Sequence, residues 1–277
     1  VKLAVASGKG GTGKTTVAVN LAAVFDGPVQ LVDCDVEAPN AGLFLKPEAL
    51  TEEIITTPVP GIIESLCTRC GECSRFCGFS AIACVGSTPP LLFPQMCHSC
   101  GGCVKVCPED AIFVDKHRIG TVGVGRAGSI TLIQGTLDVG STMAPPLISR
   151  VKERIDPGLP AILDAPPGTS CPVMATLKGV DYAILVTEPT PFGLHDLHLA
   201  VETLRELGTS FGVVVNRLGI GDHRVHRYCE EQNIPVLLQI PDDRRIAEAC
   251  SRGELIVKAL PEYRGLFQEL LREVRNR

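Results

Sequence analysis

Residues 8–15 read GKGGTGKT, follow the apolar run at 3–6 and open a helical pattern over 15–24. A strand, a glycine-rich turn and a helix in that order match G-x-x-x-x-G-K-[ST], a loop whose backbone amides face phosphate oxygens. Gly8, Gly10, Gly11 and Gly13 let the backbone approach the ligand, with Thr12 between them and Thr16 behind. Lys14 is placed to reach the β- and γ-phosphates and Thr15 to hold Mg²⁺. A glycine turn alone can match by chance; the flanking strand and helix supply the context that the chemistry needs.

Outward from this loop, short apolar runs alternate with helical patterns. Strands are predicted over 29–33, 130–134, 161–164, 182–186, 212–215 and 236–240 as well as 3–6. Helices are predicted over 146–154, 193–207, 224–232, 244–252 and 261–275 as well as 15–24. Such alternation implies an α/β fold with a doubly wound, mostly parallel sheet. Ligand loops then lie at the carboxyl ends of the strands.

The alternation breaks between 61 and 118, where eight cysteines cluster. They form Cys67-x2-Cys70-x2-Cys73-x3-Cys77 and Cys97-x2-Cys100-x2-Cys103-x3-Cys107-Pro108. GECSRFCGFSAIACV in the first copy is answered by GGCVKVCPEDAIFVD in the second. The organisation expected is a discontinuous P-loop domain, 1–60 and 119–277, with an inserted small α+β domain, 61–118. The glycine-rich stretch 120–128 reads as the return linker. The cysteine spacing is that of a loop around an iron–sulfur cube, the fourth cysteine crossing to the neighbouring cube. Paired C-x2-C motifs also make zinc sites, but zinc does not call for a third cysteine two residues on and a fourth three further.

Bulk properties narrow the classes. A chain of 277 residues has room for about two domains, and 45% hydrophobic residues can fill a core. A formal charge of −5, 4% aromatic residues and no tryptophan argue against a nucleic-acid partner. No run of about 18 uncharged apolar residues marks a transmembrane helix. The opening VKLAVASGKGG has no signal-peptide pattern, so a cytoplasmic location is expected, with thirteen cysteines serving thiolate chemistry rather than disulfides. The last helical pattern is amphipathic, with Leu266, Phe267, Leu270, Leu271 and Val274 on one face; packing onto the sheet is expected, not membrane binding.

KGGTGKTT at 9–16 resembles the MinD/Mrp, or deviant Walker A, ATPases, over about 1–60 and 119–277. The resemblance implies that Lys9 reaches across a dimer to the partner's phosphates. It implies that Asp35, in LVDCDVEAPN with Asp33, is the switch I carboxylate near the attacking water. Asp164, in ILDAPPG, would hold Mg²⁺ through water, with Gly168 as the switch II hinge. Asn216, in VVVNR, would meet the adenine edge, with Pro241 and Asp243 of IPDDRRIAEA near the base.

The cysteine segment resembles bacterial two-cluster ferredoxins, which implies two 4Fe–4S clusters. One would be held by Cys67, Cys70, Cys73 and Cys107, the other by Cys97, Cys100, Cys103 and Cys77. Gly78 stands where that pattern usually has proline. FPQMCHSCGGC, DAPPGTSCPVM and TEPTPFGLHDL fit a branch of MinD/Mrp ATPases carrying an inserted ferredoxin domain. That branch implies Mg²⁺-dependent ATP hydrolysis, a homodimer or a dimer with a paralogue, and a redox partner protein or apoprotein acceptor. The expected function is a nucleotide-dependent switch coupled to electron transfer. Cluster assembly or delivery, and MinD/ParA-type positioning, are the alternatives. Cys171, seven residues after Asp164, matches the spacing of a cluster ligand in the nitrogenase iron protein and is a candidate metal ligand or reactive thiol. Cys34, Cys84, Cys229 and Cys250 read as small buried hydrophobes.

Overall fold

In the computed structural model, which describes residues 1–275 and 277, the chain runs from β1 (Lys2–Ala6) through α1 (Lys14–Ala23), β2 (Val29–Asp33) and α2 (Ala41–Leu45) to β3 (Leu50–Ile62). It continues through α3 (Glu72–Phe76), β4 (Ile82–Ala83), β5 (Leu91–Leu92), α4 (Gly102–Lys105), β6 (Ile112–Ala127) and β7 (Ile130–Leu137). Then come α5 (Ala144–Glu153), β8 (Ala161–Asp164), α6 (Cys171–Leu177), β9 (Tyr182–Thr187) and α7 (Pro191–Glu206). The last elements are β10 (Phe211–Leu218), α8 (Arg224–Glu231), β11 (Val236–Pro241), α9 (Arg244–Ser251), α10 (Ile256–Ala259) and α11 (Arg264–Arg275).

Nine strands form one sheet in the order β11-β10-β9-β1-β8-β2-β7-β6-β3. The seven strands read from the apolar runs are its first seven members. β1 pairs in parallel with β8 and β9, β2 with β7 and β8, and β10 with β9 and β11. A strand covered on both faces reads as a continuous apolar run, and β1 and β2 are apolar and buried almost throughout. On α1, Val17, Leu21 and Ala22 join Phe267, Leu270, Leu271 and Val274 of α11 in the main core. The last helix therefore buries its apolar face, each large side chain contributing roughly 1.5–3 kcal/mol.

Two elements differ from expectation. The stretch 120–128 is not a linker: Gly120 to Ala127 complete the long strand β6. A Cβ added at Gly125 would sit 2.3 Å from the Ala49 carbonyl oxygen. Glycine in this strand therefore marks a close backbone approach rather than a flexible join. β3 holds the end position of the sheet, where Pro58 and Pro60, lacking N–H donors, are tolerated.

Contacts along the chain divide it into two units. One comprises 1–53, 122–136 and 148–277; the other comprises 54–121 and 137–147. β3 and β6 carry the chain from the first into the second and back.

The second unit repeats itself in its backbone. Arg69, Gly71 and Ser80 take positive φ of 61°, 77° and 54°, and their counterparts in the second copy, Ser99, Gly101 and Asp110, take 56°, 70° and 48°. Gly71 precedes α3 and Gly101 precedes α4 in the same left-handed conformation. The buried cluster between the two copies consists of Cys73, Ile82, Cys103 and Ile112, with Ile62, Cys77, Leu92, Val104 and Cys107 packed around it. β4 pairs with β5 through Ile82–Leu92 and Ala83–Leu91.

Candidate nucleotide site and cysteine cavities

The first unit gathers its polar loops at the carboxyl ends of β1, β2, β8, β9, β10 and β11. Gly13 caps α1 at φ 95°, and a Cβ there would fall 2.4 Å from the Asn216 amide nitrogen. That nitrogen donates to the Thr12 carbonyl at 2.8 Å, while Asn216 Oδ1 accepts from the Arg217 backbone N–H at 3.0 Å. Asn216 thus clamps the phosphate loop to β10.

A cavity of about 340 Å³ opens here, lined by Gly10, Gly11, Gly13, Lys14, Thr15, Thr16, Asp35, Asn216, Pro241 and Asp243. Ile246, Ala247, Cys250 and Ile256 add an apolar wall that sequence reading missed; the 3.6-residue periodicity of α9 marks only a packed face. Cys250 Sγ lies 3.8 Å from the Thr16 hydroxyl. Asp243 caps α9, accepting from the Arg245 backbone and side chain and from Tyr263 Oη. Arg245, then Tyr263, hold its carboxyl well below the usual carboxylate range.

Three aspartates stand behind the phosphate loop. Asp164 is fully buried, and its Oδ2 accepts the Thr15 hydroxyl at 2.6 Å. Its Oδ1 is buried with no hydrogen-bond partner among the described residues. Asp33, given no role by the sequence, accepts backbone N–H groups of Asp35, Asn40 and Ala41 at 3.1, 2.9 and 2.9 Å. It fixes the loop that presents Asp35. Burial raises the pKa of Asp33 to about 7 and that of Asp164 well above the carboxylate range; the two carboxylates also repel each other. Burial raises Asp35 too, opposed by the Lys14 charge.

An orphaned buried carboxylate oxygen beside a threonine hydroxyl fits a hydrated Mg²⁺. Thr15 and Asp164 would hold the ion, which when bound neutralises charge on phosphoryl oxygens. Deprotonated carboxylates bind it; protonated ones do not. Between an unfolded pKa near 4 and the raised folded values, the site holds protons that Mg²⁺ must displace. Mg²⁺ affinity of the nucleotide-loaded protein is therefore expected to rise with pH above the ordinary carboxylate range, as the raised Asp164 carboxyl gives up its proton, and to release protons on binding. Calorimetry in two buffers of different ionisation heat reads this, and a flat pH profile with no proton release would contradict it. Without ligand the sign reverses: the raised carboxyls cost stability as pH climbs through the same interval.

Lys9 is not a free surface lysine. Its Nζ lies 3.1 Å from Glu188 Oε2, and Glu188 Oε1 lies 2.9 Å from Arg217 Nη1. Glu188 follows β9 and is nearly buried. Neither Glu188 nor Arg217 carried a signal in the sequence, because the pairing is long-range.

In the second unit, Cys67, Cys70, Cys73 and Cys107 line one cavity. Cys77, Cys97, Cys100 and Cys103 line another. Backbone N–H groups point at two of these sulfurs: Ser99 to Cys97 at 3.4 Å and Ala111 to Cys107 at 3.3 Å. Among the described residues no three His, Cys, Asp or Glu side chains are grouped to hold a metal ion. His98 stacks on Phe79 with ring centroids 3.7 Å apart, at the wall of the second cavity.

The remaining cysteines separate. Cys34 and Cys229 are buried, and Cys250 faces the nucleotide cavity. Cys84 is exposed, against expectation, because it follows the short strand β4 on the surface of the second unit. Cys171 is exposed as the first residue of α6. Gly168 takes φ 92° and donates its N–H to the Ser7 carbonyl at 3.0 Å. No helix among the described residues is long and apolar enough to cross a membrane.

Residues 3–256 match the CobQ/CobB/MinD/ParA nucleotide binding domain. The chain belongs to this family. It therefore carries the MinD/ParA-type P-loop ATPase domain, for which ATP and Mg²⁺ are the natural ligands. The chain is 36% identical over 228 residues to Uncharacterized protein MJ0578 of Methanocaldococcus jannaschii, covering 80% of each. Its fold is similar to septum site-determining protein MinD with Mg-ADP from Pyrococcus horikoshii, with TM-score 0.64 and 22% identity over 99% of this chain and 95% of that one. It is also similar to the MinC:MinD cell division complex of Aquifex aeolicus, with TM-score 0.62 and 16% identity over 100% of this chain and 96% of that one.

Proposed function

We propose that this MinD/ParA-family protein is an ATP-driven dimer switch whose cysteine unit carries two 4Fe–4S clusters, so that nucleotide turnover gates electron transfer. The carrying observation is the sorting of eight cysteines onto two cavities. Each cavity takes three from one repeat and one from the other, which is the crossed pattern of two-cluster ferredoxins. Cys67, Cys70, Cys73 and Cys107 hold one cluster; Cys77, Cys97, Cys100 and Cys103 hold the other. When bound, each cluster supplies one-electron chemistry.

Three further features support the reading. Four non-glycine residues in the cysteine loops, Arg69, Ser80, Ser99 and Asp110, sit in the left-handed region, at roughly 1 kcal/mol or more each. The buried cluster between the repeats has two cysteines among its four members. Repeated left-handed turns and cysteines in the shared core suit loops that a bound group cross-links. The N–H donors aimed at Cys97 and Cys107 favour thiolate over thiol.

In the ATPase unit, Lys14 and the loop amides bind the triphosphate, Asp35 faces the attacking water, and Asp164 with Thr15 orients Mg²⁺. The apolar wall of Ile246, Ala247 and Ile256, with Pro241 and Asn216, receives the base. Lys9 acts on the phosphates of a second copy or a paralogue. The unit comprising 54–121 and 137–147 serves as the ferredoxin domain, with a redox protein as partner.

A second reading is a MinD- or ParA-type positioning ATPase whose cysteine unit is a docking module, and the family match over 3–256 favours it. Iron separates the two. Anaerobic purification followed by iron and sulfide analysis is expected to give about eight irons per chain. Fewer than about four would reject the cluster proposal and leave the positioning one. A redox potential that does not respond to MgATP would reject gating and leave cluster carriage or delivery.

A further inference from the structure

Glu188 divides one carboxylate between two loops of the nucleotide site. Oε2 holds Lys9, from the phosphate loop, at 3.1 Å; Oε1 holds Arg217, which lines the nucleotide cavity, at 2.9 Å. The Glu188 side chain is 8% exposed, against 33% for Lys9 and 51% for Arg217. The anchor is therefore the buried partner and the cations are the movable ones.

The backbone around Glu188 is clamped. The Thr187 hydroxyl donates to the Gly193 carbonyl at 2.9 Å, and Thr190 accepts the Gly193 N–H at 3.0 Å. A Cβ at Gly193 would fall 2.2 Å from the Glu188 carbonyl oxygen. Arg217 is set by its own backbone. It takes φ 55° where the pairing of β10 with β11 shifts register between Val215 and Leu218.

We infer that Glu188 is a positioning residue that holds Lys9 in a resting state on its own chain and sets the nucleotide threshold at which Lys9 is released. The inference rests on the reading that Lys9 acts on nucleotide phosphates. Two cations rather than one make such a latch reversible. A buried carboxylate with a single partner resists losing it, because the charge is then left uncompensated. With Arg217 in place, Lys9 leaves and Glu188 stays neutralised. Triphosphate offers Lys9 a competing anion, so release is driven by ligand.

The test is a double-mutant cycle on the full-length chain: wild type, E188Q, K9A and K9A/E188Q. The readouts are the MgATP concentration at half-maximal association, by sedimentation, and MgATP affinity. E188Q also unpairs Arg217 and removes a negative charge near the phosphates, but both effects occur equally in the K9A background and cancel in the cycle. E188Q is expected to lower the half-maximal concentration about tenfold, a coupling usual for charges in contact. In the K9A background the same substitution is expected to give only the smaller shift that does not involve Lys9. No shift in E188Q, or an equal shift with and without Lys9, overturns the inference. E188D, which keeps the charge on a shorter arm, is expected to give an intermediate shift and guards against a folding defect in E188Q. If the wild type does not associate in MgATP, the trans role of Lys9 fails on its own. The latch is then decided by affinity, which E188Q must raise more where Lys9 is present than in the K9A background.

Discussion

Asp164→Asn is expected to lower ATP turnover at saturating MgATP by about 100-fold or more while leaving the melting temperature equal to or above that of the wild type. The two effects have one cause. Asp164 is fully buried at the end of β8, with one oxygen on the Thr15 hydroxyl and the other unpartnered. In the ligand-free protein that carboxyl is a liability, and burial already pushes its proton affinity up. Asparagine has nearly the same shape, keeps an acceptor for Thr15 and carries no charge to desolvate. The loss falls on the bound state, where the negative charge would orient hydrated Mg²⁺ against the phosphates. Sites strained for activity often gain stability when neutralised. Turnover within a few-fold of wild type would remove Asp164 from the Mg²⁺ site. A large fall in melting temperature would mean that its role is to hold the fold.

The same aspartate shows how far the sequence reaches. A strand buried on both faces has to be apolar along its length, so the seven parallel strands were legible, and so were the loops at their carboxyl ends. Motif residues in those loops were legible because phosphate chemistry restricts residue types over a few adjacent positions. β3 and β6 were not. β3 is an edge strand carrying Pro58 and Pro60, and β6 contains Gly125, set by a close backbone approach at Ala49. Asp33 was legible as an acidic neighbour of Asp35 but not as the group that ties down Asn40 and Ala41, since backbone N–H donors leave no trace in side-chain identity. Lys9 and Arg217 both meet Glu188 from far along the chain, and only topology brings them together. In the cysteine unit the internal repeat made the matching left-handed turns at Arg69, Gly71 and Ser80 and at Ser99, Gly101 and Asp110 legible. Cys84 reads as buried from residue type alone, with no local pattern to correct it, and is exposed.

The crossed cysteine arrangement leads to the second large expected effect, a pattern of pairing among single substitutions. Cys77→Ala and Cys97→Ala are expected to remove the same cluster, about four irons in each case, although Cys77 belongs to the first repeat and Cys97 to the second. Combining them is expected to do no further harm. Cys67→Ala combined with Cys77→Ala, both from the first repeat, is expected to remove both clusters. The physical basis is that Cys77 lines the cavity of the second copy and Cys107 that of the first. Proximity in sequence would group Cys77 with Cys67; proximity in space groups it with Cys97, Cys100 and Cys103. Electron paramagnetic resonance of the reduced protein, alongside iron counts, identifies which cluster remains in each variant. If Cys77→Ala and Cys67→Ala deplete the same signal, each repeat closes its own site and the crossed assignment is wrong. If every single substitution removes all iron, the two clusters are one cooperative unit. The repeat would then fold only with both. Refolding of the apo protein separates that case: iron and sulfide restored together would recover the unit in one step, whereas crossed but independent clusters would recover in two.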